Sequence, residues 1–505
     1  MLKLRFCERV FLLCVFCAAT VIAARAQTFN TLASFNYNNG YMPWSTTLIQ
    51  GTDGNFYGVT WGGGAYGMGT VFRVTPTGEL TALYSFCAQT GCPDGNQPYA
   101  GLVQGADGNF YGTTSLGGAN NWGTVFEITP EGELTILHSF TGPDGAGPSA
   151  LIQVSNGNFY GATGGGGNID ACPTGPGCGT VFEITPEGTL TTLHSFNLAD
   201  GAGPGPLIQA SDGNFYGTTS GGGTSDACPG YPGCGTVFEI TAGGNLTTLY
   251  TFHGDDGWLP GGGLVQATDG NFYGTTAWGG ATNLGTVFEI TPGGELTTLH
   301  SFDLTDGSMP SAAMVQATDG NLYGTTVGGG PNAVLGTMNG GDGTLFEITP
   351  GGDLTTLHDF NGTDGAVGYG GLVQATDGNF YGTTILGGTG PNCGLGGCGT
   401  VLSLSVGLDP FVKTEPTSGE AGAAVIILGT DLTGATSVTF NGRVAAFTVV
   451  SSSEIEATVP AGASGGKVEV STPHGTLSSN VPFRVAPQLR HTLRPPLRPR
   501  STVGM

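Results

Sequence analysis

One unit of about fifty residues occurs seven times in succession, and this repetition restricts the possible folds more than any other feature of the chain. The core of the unit reads GNFYG or a close variant, and successive copies begin 49 to 58 residues apart. These cores begin at Gly54, Gly108, Gly157, Gly213, Gly270, Gly320 and Gly378. Repeats of this length each form one supersecondary unit, and neighbouring units stack to bury a common core. The sequence therefore predicts a repeat protein.

Each unit contains four short apolar segments, which typically read LVQAT, NFYGTT, GTVFEIT and LTTLHSF. They are five to seven residues long and rich in Val, Ile, Thr, Phe and Tyr, as β-strands are. Asp-Gly pairs, Gly-rich loops and PGGE or PEGE turns separate them, which is the chemistry of hairpins. We therefore predict an all-β fold with four strands per repeat.

The N-terminal segment supplies a strand that the last repeat lacks. The third segment occurs seven times, but the fourth follows it only six times. The missing copy is FNTLASF, which ends at Phe35 and matches LTTLHDF, which ends at Phe360. A first strand that completes the last repeat closes a ring and removes two free sheet edges. We therefore predict a seven-bladed β-propeller over residues 27–406; an open β-solenoid is the alternative.

Charge is distributed unevenly along the chain. Between Gln27 and Gly407 there are 29 Asp and Glu residues and one basic residue, Arg73. Phosphate binding requires clustered Lys and Arg, so nucleic acid is excluded as a partner of this region. Acidity that keeps a secreted protein soluble is the simpler interpretation.

Residues 1–26 have the pattern of a secretory signal peptide. Basic residues precede an apolar run, and Ala24-Arg25-Ala26 forms a cleavage motif, so the mature chain is predicted to start at Gln27. Eight cysteines then remain, in pairs that predict four disulfides in an oxidising compartment, with zinc sites as the alternative. The pairs are Cys87/Cys92, Cys172/Cys178, Cys228/Cys234 and Cys393/Cys398. We expect a secreted or cell-surface protein, monomeric, with no integral membrane association after cleavage.

The two rims of such a propeller should differ. In an up-and-down blade the first and third turns lie on one rim, and the longer, variable second and fourth connections lie on the other. All the tryptophans fall in or beside these longer connections: Trp44, Trp61, Trp122, Trp258 and Trp278. Exposed Trp on variable loops is a platform for sugars or peptides, so these are the candidate ligand-binding residues. The alternative is that they only cap the blade ends.

The same loops carry one acid-glycine pair in most repeats. The acids are Asp94, Asp144, Asp200, Asp256, Asp306 and Asp364. One carboxylate per blade could bind Ca²⁺, but Asp-Gly is also an ordinary turn, and the dense spacing of dedicated calcium loops is missing. We favour the turn and predict no other cofactor.

No catalytic residue is predicted. Histidines recur at one position of the fourth segment, where other repeats have Tyr84 and Tyr250, which favours packing over acid-base chemistry. Those histidines are His138, His194, His300 and His358. A hydrolase or lyase would instead need paired acids in the central channel.

After the repeats, residues 407–486 have alternating β runs and frequent turns, as in a small immunoglobulin-like β-sandwich. PTSGEAG, VIILGTDL, VTFNG and ATVPAG resemble the successive motifs of the IPT/TIG family. This resemblance implies the immunoglobulin-like fold and a role as spacer or docking module. Residues 487–505 form a Pro- and Arg-rich tail that we expect to be disordered.

The repeats themselves resemble a bacterial family. DGNFYGTT, GTVFEIT and LTTLHSF at their spacing are similar to the GloVer-type repeat of choice-of-anchor surface and secreted proteins. The resemblance implies an extracytoplasmic bacterial protein without an established activity. The leading hypothesis is a binding or adhesion protein for an extracellular glycan or protein; the alternatives are a polysaccharide hydrolase or lyase and a purely structural envelope protein.

Overall fold

The computed structural model describes residues 27–486 with short gaps. The residues left out inside this range are 45–46, 171, 173–174, 176, 226, 229–231, 332–340 and 395. The predicted signal peptide and the predicted tail lie outside the described residues. All regular secondary structure in the described part of the chain is β-strand, which confirms the all-β prediction. The chain divides between Pro410 and Phe411 into two compact units.

The first unit contains seven antiparallel sheets among its described residues, six of which follow one another along the chain. Strand β1 is Thr28–Ser34. Sheet 1 contains β2 (Ile49–Gln50), β3 (Phe56–Thr60), β4 (Thr70–Val74) and β5 (Leu80–Ser85). Sheet 2 contains β6 (Asn96–Pro98), β7 (Val103–Gln104), β8 (Phe110–Leu116), β9 (Thr124–Ile128) and β10 (Leu134–Ser139). Sheet 3 contains β11 (Ala146–Pro148), β12 (Ile152–Gln153), β13 (Phe159–Gly165), β14 (Thr180–Ile184) and β15 (Leu190–Ser195).

The remaining sheets of this unit repeat the pattern. Sheet 4 contains β16 (Ala202–Pro204), β17 (Ile208–Gln209), β18 (Phe215–Gly221), β19 (Thr236–Ile240) and β20 (Leu246–Thr251). Sheet 5 contains β21 (Val265–Gln266), β22 (Phe272–Thr276), β23 (Thr286–Ile290) and β24 (Leu296–Ser301). Sheet 6 contains β25 (Val315–Gln316), β26 (Leu322–Thr325), β27 (Thr344–Ile348) and β28 (Leu354–Asp359). Sheet 7 contains β29 (Val373–Gln374), β30 (Phe380–Thr384) and β31 (Thr400–Ser405), with β1 as its fourth strand.

The first strand of every repeat is shorter than predicted. The LVQAT segment gives a strand of only two residues, such as Val265–Gln266, and its glutamine side chain also bonds to the preceding sheet. Gln266 Oε1 accepts a hydrogen bond from the Ser211 amide of the preceding sheet at 2.8 Å, and its Nε2 donates to the Gly270 carbonyl. The segment therefore joins two sheets instead of extending one.

Stacked rings join neighbouring sheets. The Tyr of one NFYG motif stacks on the Phe of the next, as with Tyr57 on Phe110, where the ring centroids are 4.1 Å apart. The glycine after the tyrosine makes room for the buried ring of the third strand. A Cβ on Gly274 would lie 2.5 Å from Phe288. The repeated NFYG motif therefore forms the interface between sheets: its Tyr contacts the next sheet and its Phe contacts the previous one.

The first and last sheets are joined by the same contacts. Phe56 of sheet 1 stacks on Tyr381 of sheet 7 at 4.0 Å between centroids, and the Thr376 amide donates to Gln50 Oε1 at 3.0 Å. Strand β1 pairs antiparallel with β31, and Phe35 beyond its end is fully buried against Phe72 of sheet 1.

The second unit is a β-sandwich with an apolar core. One sheet contains β32 (Lys413–Glu415), β34 (Ala424–Leu428), β37 (Ala446–Val449) and β38 (Glu454–Thr458). The other contains β35 (Ser437–Phe440), β36 (Arg443–Val444), β39 (Val468–Thr472) and β40 (Gly475–Ser478). A parallel pair is formed by β33 (Ser418–Glu420) and β41 (Arg484–Ala486). Ile427, Ile455 and Val470 are fully buried in the core between the sheets, as predicted for an immunoglobulin-like domain.

The four predicted disulfides are formed. The bonds are Cys87–Cys92, Cys172–Cys178, Cys228–Cys234 and Cys393–Cys398. The two cysteines of each bond are five or six positions apart in one connection, so each bond fixes a loop locally.

Candidate functional site

The two ends of the sheets carry different connections. At one end the first and third turns are short and uniform. Asp269 Oδ1 accepts a hydrogen bond from the Asn271 amide in a first turn, and the Thr291 hydroxyl accepts one from the Glu295 amide in a third turn. At the other end the second and fourth connections are longer and pair with each other. Isolated bridges join Tyr41 to Gly62 and Trp258 to Trp278. We call this second end the variable rim.

Trp44 belongs to an aromatic group on the variable rim. Its ring stacks on Tyr369 at 5.4 Å between centroids and 27° between planes, and it lies 6.5 Å from the ring of Trp61. Both Trp44 and Tyr369 pack on a buried apolar cluster that includes Val327 and Ile385. The two rings thus have a firm apolar support and remain partly exposed.

The other three predicted tryptophans lie apart from this group. Trp258 and Trp278 stack on each other with centroids 6.0 Å apart, and Trp258 Nε1 donates to Asn283 Oδ1 at 3.2 Å. Trp122 is 37% exposed, the largest exposure of the five. The structure therefore brings together two pairs of the predicted residues, Trp44 with Trp61 and Trp258 with Trp278.

Five of the six predicted aspartates share one geometry, and Asp94 is a variant of it. In these five Oδ1 accepts a hydrogen bond from the amide three residues earlier, and in Asp94 the Cys87 amide donates to Oδ2. The second contact comes from the fourth strand. His Nε2 lies 2.7–3.1 Å from Oδ2 of Asp144, Asp200, Asp306 and Asp364, and a Tyr hydroxyl donates to Asp94 and Asp256. Tyr and His fill the same position because both reach the same carboxylate.

These carboxylates are thus engaged in the turn itself. Burial alone would raise the pKa of Asp144, but hydrogen bonds from the Thr141 amide and hydroxyl and from His138 lower it below the ordinary value. Among the described residues, no three His, Cys, Asp or Glu side chains are grouped as a metal site would require. Calcium binding stays the untested alternative to the turn.

A cavity of about 330 Å³ lies near the opposite rim. Its lining includes Asp319, Glu347 and Tyr323, whose hydroxyl donates to Asp319 at 3.0 Å. The same Asp, Tyr and Glu recur in other repeats, as in Asp269, Tyr273 and Glu289. The acids of this cavity therefore belong to the repeated architecture.

Sequence reasoning missed Tyr99 and Tyr369. Each precedes the first strand of its repeat, at the position that Trp44 occupies in sheet 1. The corresponding residues of the other repeats are small: Ser149, Gly205, Gly261 and Ser311. The sequence feature that could have identified them is the size of the side chain at this aligned position, which is large in three repeats and small in four.

Solved structures resemble the chain only distantly. A periplasmic gluconolactonase of Pseudomonas aeruginosa is 16% identical, with a TM-score of 0.41, and the match covers 66% of this chain and 96% of that one. An extracellular domain assigned to a hybrid two-component system of B. thetaiotaomicron is 12% identical, with a TM-score of 0.48. That match covers 92% of this chain and 59% of the other. No curated protein matches the chain in sequence.

Family models match nearly the whole described chain. The model of the Gloeobacter/Verrucomicrobia repeat matches residues 19–172 and 171–396, and that of the IPT/TIG domain matches residues 411–485. Together the two repeat matches span well over half of the 505 residues. The chain therefore belongs to the Gloeobacter/Verrucomicrobia repeat family and carries an IPT/TIG domain after its repeats.

Proposed function

We propose that this chain is an extracytoplasmic binding protein, secreted or held at the cell surface, whose seven-bladed propeller presents its variable rim to a glycan or protein. The IPT/TIG domain acts as a spacer or docking module. The observation that carries the proposal is the set of partly exposed aromatic rings on the variable rim, with Trp44 stacked on Tyr369 and Trp258 on Trp278.

Contacts between the first and last sheets support a closed ring of blades. Phe56 stacks on Tyr381 as Tyr57 does on Phe110, and the Thr376–Gln50 bond repeats the bond between Ser211 and Gln266. An open array would leave these groups exposed at its ends. A ring held by β1 supplies a rigid scaffold, on which loops can vary without disturbing the fold.

The segments that precede the first strands lack acidic residues, which favours binding over hydrolysis. The residues between each fourth-connection proline position and the following first strand are Gly, Ala, Ser, Thr, Pro, Leu, Met or aromatic, and none is Asp or Glu. A hydrolase or lyase acting in the channel would need two carboxylates there. Aromatic rings supported by an apolar cluster need no such acids to hold a ligand.

Extracytoplasmic location is supported by the disulfides and the family. The four disulfides are suited to an oxidising compartment. Among the described residues no helix is long and apolar enough to cross a membrane.

Co-sedimentation of the purified full chain with insoluble polysaccharides and with bacterial envelopes tests the proposal. We expect retention on at least one of them, and loss of retention when Trp44, Trp61 and Trp258 are replaced by Ala. The matched control is Tyr37→Ala, an exposed aromatic outside both tryptophan pairs. Parallel samples with Ca²⁺ and with EDTA test the calcium prediction. Absence of retention on every polysaccharide and envelope would refute the binding role and favour a structural one.

A further inference from the structure

Three aromatic side chains occupy equivalent positions in three consecutive repeats. Tyr369, Trp44 and Tyr99 precede the first strands of sheets 7, 1 and 2. Tyr369 and Trp44 are stacked, and Tyr99 is 39% exposed. Burial raises the pKa of Tyr369, and the charge of the Tyr99 phenol raises it further.

The backbone just after these residues is tightly packed. A Cβ on Gly101 would lie 2.8 Å from the Thr47 carbonyl oxygen, and one on Gly371 would lie 2.4 Å from Thr47 Oγ1. Gly101, Gly371 and Thr47 follow Tyr99, Tyr369 and Trp44 by two or three positions. The three segments that connect the aromatic residues to the first strands therefore meet at Thr47. Such convergence is what the entrance of a narrow central channel requires.

Prolines hold two of the rings in place. Pro43, before Trp44, packs against Gly399 of sheet 7, where an added Cβ would lie 2.8 Å from the ring. Pro98, before Tyr99, packs against Gly69 of sheet 1 in the same way at 2.5 Å. Because each proline is wedged against the preceding sheet, the ring that follows loses little freedom when it binds a ligand.

We propose that Tyr369, Trp44 and Tyr99 form an aromatic arc around one half of the channel mouth, and that this arc binds the faces of sugar rings in an uncharged polysaccharide. The inference rests on the proposed binding function and names its ligand class. Ser149, Gly205, Gly261 and Ser311 complete the circle with small residues and leave the other half open.

Charge argues against an anionic ligand. The repeat region has 29 acids and only Arg73 as a basic residue. Arg73 pairs with Tyr57 in the sheet, beside the Asp53 turn of the opposite rim. An anionic polysaccharide would meet a field of its own sign at the arc, with no cation to compensate. Stacking on aromatic faces requires no charge on the ligand.

Affinity electrophoresis of the full chain in gels containing a soluble polysaccharide tests this inference. The probes are β-glucan, galactomannan and dextran as uncharged chains, alginate as an anion and chitosan as a cation. Trp44→Ser, Tyr99→Ser and Tyr369→Ser place at each position a residue that other repeats carry there, so the fold should tolerate them. Thermal unfolding checks this, and Tyr66→Ser, at an exposed tyrosine outside the arc, is the control.

We expect retardation by at least one uncharged polysaccharide, unchanged at high salt, and none by alginate. Each arc variant should raise the dissociation constant roughly tenfold, since truncating a central aromatic commonly costs about 1.4 kcal/mol or more. Retardation that survives in the arc variants but disappears in Trp278→Ala would overturn the arc and leave rim binding intact. Retardation by alginate or chitosan alone would overturn the ligand class. Failure to bind every polysaccharide would refute the arc, whereas only failure on bacterial envelopes as well would refute the binding function.

Discussion

Replacing Phe35 by Ala should lower the free energy of unfolding of the first compact unit as much as replacing the equivalent Phe of an interior repeat. Phe35 is fully buried, and its ring meets Phe72 edge to face at 5.0 Å in a cluster that also contains Tyr381. Truncating a buried Phe costs about 3–5 kcal/mol, because apolar contacts are lost and sheets fixed by their own ladders cannot collapse into the space. We expect a value near the middle of this range.

Urea unfolding followed by circular dichroism measures the effect. The control is Phe196→Ala, since Phe196 is also fully buried and stacks edge to face on Phe238 at 5.2 Å. If β1 closes the ring, both variants lower the unfolding midpoint by similar amounts without a new transition. A Phe35→Ala protein that unfolds like the wild type, while Phe196→Ala is clearly weakened, would contradict the closing role of β1.

Three further predictions follow from the repeated contacts. His138→Ala should lower the free energy of unfolding by about 1 kcal/mol, whereas His138→Tyr should preserve it, because tyrosines make the same bond in two other repeats; thermal melting distinguishes them. Because the pKa of Asp144 is lowered below 3.8 on folding, its stabilising effect is complete above that value and is lost as the pH falls through the lower folded pKa. The stability difference between wild type and Asp144→Asn should therefore shrink in acid, and a constant difference in unfolding midpoints would contradict this. Gly274→Ala should cost about 1–3 kcal/mol through its clash with Phe288, measured by urea unfolding; a neutral effect would show that the ring can move aside.

The sequence predicted the architecture well because the same strand and turn motifs occur in seven copies. Strands two to four, the disulfides and the strand supplied by the N-terminus all follow from motif spacing. The link between the first strand and the preceding sheet was not predicted, since Gln266 has the pattern of an ordinary polar strand residue and its bond to Ser211 is visible only in the structure.

The candidate site was predicted only in part, because side-chain exposure depends on how loops pair. Trp258 and Trp278 were expected to be exposed, but the bridge between their loops stacks the rings and half-buries them. Tyr99 and Tyr369 were missed because only an alignment of the repeats shows that they occupy the position of Trp44, and the stacking of Tyr369 on Trp44 is visible only in the structure. Only the packing of sheets 7, 1 and 2 brings these residues together.

The joint between sheets has a consequence for how such a chain can evolve. Every repeat has the Tyr, and six of the seven have the Phe, as Tyr216 and Phe215 do, while the sixth has Leu322 in its place; the copies therefore present nearly the same surfaces to their neighbours. A duplicated or deleted repeat would find complementary surfaces on both sides without any compensating substitution. Gain and loss of whole repeats, more than change within them, is the route by which this architecture should diversify.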